Sequence, residues 1–355
     1  MAAITLAPNT FTSPSTGKEY FYLTAGPEKG PLLMFLHGWP GLAVTWRPQL
    51  LGLASLGFRV VAPDMPGYGG TWTSEDASEF ELEKVVPQLL ELLHHVGGKD
   101  AKAIWFGHDW GCGPLNAIAA HHPEACRAMV GISVPYRTLE MGLPAFLHIV
   151  DRELYPESEY PNGQWDYQIF YEQEPRAVDR QFETNVRGYV KLLFSRGSPA
   201  AARAPARTAQ VVKDKGWFGG PGAPIPDLPL EKTVLDADML DQLTESLTRK
   251  GFRGATSWYL NHEANRRWGL EKSVDGGVLK MPFLFIHTEY DAVCQTVYNP
   301  QLTQAMRDLC QNLSEFVIKS GHWGALECPE EVNAGVVSWI IKEVSDWWPG
   351  PEIKS

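Results

Sequence analysis

Cysteine is scarce, with five in 355 residues. None forms a CxxC pair and an odd number cannot all pair internally, which argues against a disulfide framework and for a reducing compartment, the cytoplasm. Positive charge is short as well. Lys and Arg number 31 against 42 Asp and Glu, a formal net charge of −11, and the basic residues form no run longer than two, with pairs as scattered as Arg203 and Arg207. Such a surface would attract neither nucleic acid nor an anionic membrane, so neither is an expected partner. Apolar runs such as Leu32–Leu36 are strand-sized, far below the roughly 18 residues that span a bilayer. The opening MAAITLAPNTFTSPSTGKEY has no basic start followed by an apolar stretch, so no secretory leader is expected. The sequon Asn312-Leu313-Ser314 is then expected to be inert. Internal repeats and low-complexity tracts are missing too.

What is present is a globular composition, 44% hydrophobic and 21% charged, in a length that suits one large α/β domain with an insertion. Residues 17–25 (GKEYFYLTA) alternate as a strand does. After them, apolar runs (LLMFLHG, FRVVAPD, AIWFGHD, AMVGISV) take turns with helical patterns over 79–96 and Trp110–His121. This βαβα order predicts a mostly parallel sheet covered on both faces. Past Pro135 the pattern changes to helical segments rich in Trp, Tyr and charge, broken by a Pro/Ala/Gly-rich loop near 196–230. Strand character returns at 281–291, followed by a helix near 300–310, the strand EFVIKSGHW and a closing helix from Pro329. The expected organisation is a core over 1–135 and 278–355, interrupted by a helical lid over 136–277.

The stretch FGHDWGCG (106–113) has the outline of a nucleophile elbow, G-x-S-x-G, in which a serine sits on a sharp strand-to-helix turn. Here Asp109 holds that place. Alone, an Asp in a Gly-rich turn is a turn former. But four strand ends carry polar groups, and the C-terminal ends of a parallel sheet are where catalytic groups collect. His37-Gly38-Trp39-Pro40 ends LLMFL, Asp109 ends AIWF, Asp291 follows FLFIHTEY, and His322 follows FVIKSG. The order Asp109, Asp291, His322 is the nucleophile–acid–base order of hydrolases built on such elbows. Glu289 is a rival acid. A serine alkoxide suits an acyl carbonyl, whereas a carboxylate suits displacement at an sp³ carbon and leaves an alkyl ester on the enzyme. Asp109 is therefore the expected nucleophile, ionised at the positive end of the helix that follows it. His322 is the expected general base for ester hydrolysis, oriented by Asp291. The backbone N–H groups of Trp39 and Trp110 are the expected oxyanion donors. A halide leaving group would need N–H donors, while an epoxide oxygen would need a proton from a phenol.

The motifs HGWPG (37–41), PDMPGYGGT (63–71), FGHDWG (106–111), DYQIFYEQEP (166–175), GFRGATSWYLN (251–261), HTEYDAV (287–293) and SGHW (320–323) stand in order along nearly the whole chain past residue 30. In them the sequence resembles the epoxide hydrolase branch of the α/β-hydrolase fold. It is similar to single-domain microbial and plant enzymes and to the C-terminal domain of mammalian soluble epoxide hydrolase, with no N-terminal phosphatase domain expected. Trp39 stands where Phe is usual and Thr71 where Ser often closes the turn. The resemblance implies an apolar epoxide and water as substrates, with no cofactor and no metal. It also implies that Tyr167 and Tyr259 bind the epoxide oxygen from the lid, although Tyr171, one turn from Tyr167, competes with it. His37, Pro40, Trp110, Trp165, Phe170 and Trp258 are expected in the substrate pocket. A haloalkane or haloacid dehalogenase shares the elbow and is the rival reading, with the Trp110 indole as a halide donor. A hydrolase-fold receptor without turnover would lack a triad member or an oxyanion turn, and here the set is complete.

Overall fold

The computed structural model describes residues 4–350. Eight strands form one sheet: β1 (Ala7–Thr12), β2 (Glu19–Ala25), β3 (Leu32–Leu36), β4 (Arg59–Pro63), β5 (Ala103–His108), β6 (Cys126–Ile132), β7 (Leu279–Thr288) and β8 (Cys310–Ile318). Their order is β1-β2-β4-β3-β5-β6-β7-β8. The first two pairings are antiparallel and the remainder parallel, as the alternation of apolar runs and helices predicts.

Every residue of β3 and β5 is buried, because helices cover both faces of the sheet. Side chains alternate between two cores. Leu33, Phe35, Ile104 and Phe106 face Leu50, Leu53, Val336 and Ile340, from the helices Arg47–Ser55 and Pro329–Glu343. Met34, Leu36, Trp105 and Met129 face Leu89, Leu93, Leu115 and Ile118, from the helices Leu82–Gly97 and Cys112–His121. Phe35 stacks on Phe106 with ring centroids 4.2 Å apart, and burying each such ring stabilises by about 1.5–3 kcal/mol. This two-sided packing holds the C-terminal ends of β3, β5 and β7 at one edge, from which the polar loops emerge.

Two elements go beyond the sequence expectation. β1 is mostly exposed and pairs only with β2, so it carries no buried-face pattern. The helix Arg47–Ser55 is only weakly amphipathic and carries Pro48, a residue suited to a first turn, as its second residue. Boundaries also move, among them that of β8, which ends at Ile318 and leaves His322 on the loop beyond it. Asp109–Gly111 forms a 3₁₀ turn, and the α-helix starts at Cys112. β7 ends at Thr288, because the N–H groups of Glu289 and Tyr290 turn to the carbonyls of Ile318 and Ser320. Asp291 therefore lies on a loop. Between β6 and β7 the regular elements among the described residues are helices, apart from a single bridge, Ser195 to Thr233. Among the described residues no helix is long and apolar enough to cross a membrane, and all five cysteines are free thiols.

Candidate active site

The tight crossing of chains at the end of β5 sets the position of Asp109. Its φ of 51° lies in the left-handed region that few side-chain-bearing residues adopt. A β-carbon at residue 111 would sit 2.0 Å from the Leu36 carbonyl, so only glycine lets the turn lie against β3. A β-carbon at Gly38 would sit 2.4 Å from Asp109 Cβ. The two loops thus interlock, and the Trp39 N–H donates to Asp109 Oδ1 at 2.6 Å. Trp110 follows directly, inside the 3₁₀ turn that Asp109 opens.

His322 joins the two carboxylates. Its Nδ1 lies 2.7 Å from Asp291 Oδ2 and its Nε2 lies 3.4 Å from Asp109 Oδ2. Asp291 is fully buried, and its Oδ1 accepts the N–H groups of Val293 and Cys294, each at 2.9 Å. Burial pushes this carboxyl up, but the His322 imidazole and those N–H groups hold it below the usual range. For His322, burial alone would lower the imidazole; Asp291 and Asp109 outweigh it and raise it to about 10. Glu289, the rival acid, instead accepts from the Tyr298 hydroxyl at 3.2 Å.

A cavity of about 140 Å³ opens over this group. Asp109, His322, Tyr167 and Tyr259 all line it, together with Pro40 and Trp165 and an apolar wall that includes Val134, Leu139, Phe146, Leu193 and Trp323. The two phenol rings lie 5.6 Å apart at 74°. Burial, with the nearby Asp109 charge as a further cause, pushes both phenols well above their ordinary range. The Tyr167 hydroxyl accepts from Gln168 Nε2 at 3.0 Å. Tyr171 stands 4.9 Å from Tyr259, but it is absent from the cavity wall and its hydroxyl is buried without a partner.

Four expected pocket residues fall outside this cavity. His37 turns inward, where its Nε2 accepts the Met65 N–H at 2.9 Å and its Nδ1 meets the Gly38 carbonyl at 2.9 Å. Burial lowers this imidazole to about 4, so it is a neutral brace for the loop. The Trp110 and Trp258 rings pack against each other beside a separate gap too small to hold a water, and the Trp258 indole donates to the Pro66 carbonyl at 2.9 Å. Phe170 is buried in the core between helices. Apolar aromatic spacing reports burial, and by itself does not say which buried face meets a cavity.

The structure also brings in residues that the sequence reading passed over. Trp217 and Thr208, from the Pro/Ala/Gly-rich loop, close the cavity. His108, neutral because burial lowers it to about 4, meets the His322 carbonyl through Nε2 at 2.7 Å. Its place next to Asp109 was the only signal for it. Among the described residues, the metal-ligating atoms that come together are those of Asp291, Cys294 and His322, within 4.8 Å. The first and last are already joined by a hydrogen bond.

Residues 31–329 match the family model described as alpha/beta hydrolase fold. The bifunctional epoxide hydrolase 2 of Sus scrofa is 28% identical over 312 residues, which cover 88% of this chain and 51% of that protein. The chain thus spans about half the length of the mammalian curated relatives it matches. Epoxide hydrolase A of Mycobacterium tuberculosis is 26% identical over 336 residues, covering 94% of this chain and 98% of the relative. Among solved structures, epoxide hydrolase A from Mycobacterium thermoresistibile superposes with a TM-score of 0.74 at 26% identity, over 95% of this chain and 99% of that one.

Proposed function

This chain belongs to the α/β-hydrolase fold family, and from that premise we propose that it hydrolyses apolar epoxides to vicinal diols through an alkyl ester on Asp109. The observation that carries the reading is the company on one cavity wall: a carboxylate, an imidazole backed by a buried carboxylate, and two phenols. The relatives named epoxide hydrolase support it. We read the helical stretch between β6 and β7 as the cap that carries both phenols, and the unpaired cysteines as fitting a reducing compartment.

In this mechanism Asp109 Oδ2 forms a bond to an epoxide carbon as the ring C–O bond breaks. Tyr167 and Tyr259 bind the ring oxygen and one of them supplies its proton, a role suited to phenols that stay protonated. Esterification removes the Asp109 charge, one of the influences that keep His322 protonated. The imidazolium then releases its proton, which restores the phenol through solvent. Neutral His322 takes a proton from water, and the hydroxide adds to the ester carbonyl. Oδ1, already held by the Trp39 N–H, becomes the oxyanion, with the Trp110 N–H as second donor. Collapse expels the diol, whose oxygen takes a proton from His322, and the acid left on Asp109 passes its proton to His322, restoring the carboxylate and the imidazolium. Side chains and water supply the whole reaction. No lysine or arginine lines the cavity, which fits an uncharged substrate. The dehalogenase reading loses the donor expected for it, because the Trp110 indole is off the cavity wall.

A single turnover in ¹⁸O-water with enzyme in excess tests the covalent route. Unlabelled diol and an Asp109 peptide carrying one ¹⁸O are expected. Label in the diol with a light Asp109 would instead make Asp109 a base acting on water. Halide release from haloalkanes without diol formation from epoxides would favour the dehalogenase.

A further inference from the structure

We propose that Glu327 is a positioning residue for His322, stapling the loop that carries it to the chain between β6 and β7. The proposal rests on the reading of His322 as the base of ester hydrolysis.

The loop holding His322 follows β8 and has no strand partner of its own. One carboxylate oxygen, Glu327 Oε2, accepts the Gly321 N–H at 2.9 Å and the Gly197 N–H at 3.2 Å. These donors come from distant parts of the chain, and their backbones touch. A β-carbon on Gly197 would lie 2.3 Å from the Gly321 nitrogen and Cα. The next residue past the imidazole is clamped by the same segment. The Trp323 indole donates to the Leu193 carbonyl at 2.8 Å, and its ring stacks on Phe194 with centroids 3.9 Å apart. On the other side, the His322 carbonyl meets His108 Nε2 at 2.7 Å and accepts from Ser133 Oγ at 3.1 Å.

The peptide bearing the base is therefore held at both ends, and Glu327 is the side chain that ties one end to the inserted segment. Without it the Gly321 N–H loses its acceptor, and the short helix Gly324–Glu327 no longer fixes the loop. His322 must keep Nδ1 on Asp291 while Nε2 faces the ester, so a small shift of the loop misaims it. Ring opening depends on Asp109 and the phenols, none of which Glu327 touches. Glu327 therefore serves the hydrolytic half of the reaction and not ring opening.

The test compares Glu327→Ala and Glu327→Gln with the unaltered enzyme, using styrene oxide, rapid quench and intact-mass measurement. Glu327→Ala is expected to slow ester hydrolysis about tenfold or more, with alkylated protein accumulating while the alkylation rate stays within about threefold. Glu327→Gln keeps an acceptor oxygen and is expected to stay near the unaltered enzyme. Gly197→Ala, whose added methyl group pushes on Gly321 while the Glu327 carboxylate is kept, should reproduce the Ala phenotype and replaces it if Glu327→Ala fails to fold. Equal slowing of both steps, or of neither, overturns the proposal. If the unaltered enzyme forms no diol, the functional reading fails on its own. Positioning is then judged by NMR of the His322 Nδ1–H resonance, which Glu327→Ala should abolish and Glu327→Gln preserve. An unchanged resonance in Glu327→Ala overturns it.

Discussion

Asp109 occupies a left-handed backbone position that costs of order 1 kcal/mol or more for a side-chain-bearing residue. The interlocked loops enforce it, and the result is a carboxylate thrust into a cavity with one oxygen tied to a backbone N–H. The tyrosines illustrate how finely neighbours differ. Tyr167 and Tyr171 are one helical turn apart, yet only the first meets the cavity. Single replacement of Tyr167 or Tyr259 by Phe should slow alkylation while leaving activity, since the other phenol still donates. The double replacement should lose about 10²-fold or more, and Tyr171→Phe should stay close to the unaltered enzyme. Rapid-quench alkylation rates check this, and a loss confined to Tyr171→Phe would reverse the assignment.

The sheet acts as a jig for its loops. β3 and β5 are adjacent parallel strands, so the turn after β3 and the elbow after β5 leave the sheet side by side. Their close approach makes Gly111 indispensable. Gly111→Ala must displace the Leu36 carbonyl or the elbow, and it should destabilise by about 3 kcal/mol or more and remove activity in any folded fraction. Thermal denaturation with an activity assay on the soluble protein decides it, and a fully active, equally stable variant would contradict the packing. The Pro/Ala/Gly-rich stretch shows the opposite case. It has little regular structure, yet it supplies Thr208 and Trp217 to the cavity and Gly197 to the staple.

Across the whole molecule, burial keeps His37, His108 and His262 neutral, each lowered to about 4. In the unfolded chain these imidazoles take up protons near pH 6.5. Between pH 6.5 and 4 the unfolded state therefore binds more protons, and stability falls as pH falls. His322 works the other way. Raised to about 10, it contributes stability that is complete below pH 6.5 and lost as pH rises through about 10. Asp64 and Glu140, raised by burial, partly offset the acid slope. His262 isolates the effect, because both its ring nitrogens are buried without partners. His262→Leu loses no hydrogen bond, so the melting temperature should change little at pH 8 and gain steadily on the unaltered protein as pH drops toward 4.5. Parallel melting curves across that range would contradict the assignment.

Local pattern by itself determined the parallel sheet, the elbow at Asp109, and the chain order Asp109, Asp291, His322, because buried strands and tight turns leave periodic and Gly-marked signatures. It also singled out Tyr167 and Tyr259, through motifs whose meaning came from resemblance. Composition could not say which aromatic face meets open space, so Trp110, Trp258 and Phe170 looked as much like pocket as Trp165 does. Sequence pattern took Asp291 as the acid with Glu289 as its rival, and the contact itself comes from the loop after β7, which turns Asp291 onto His322. The neutral braces His37 and His108, and the meeting of Gly197, Gly321 and Glu327, depend on contacts between residues far apart in the chain. Only folding creates such contacts, so only the tertiary structure decided them.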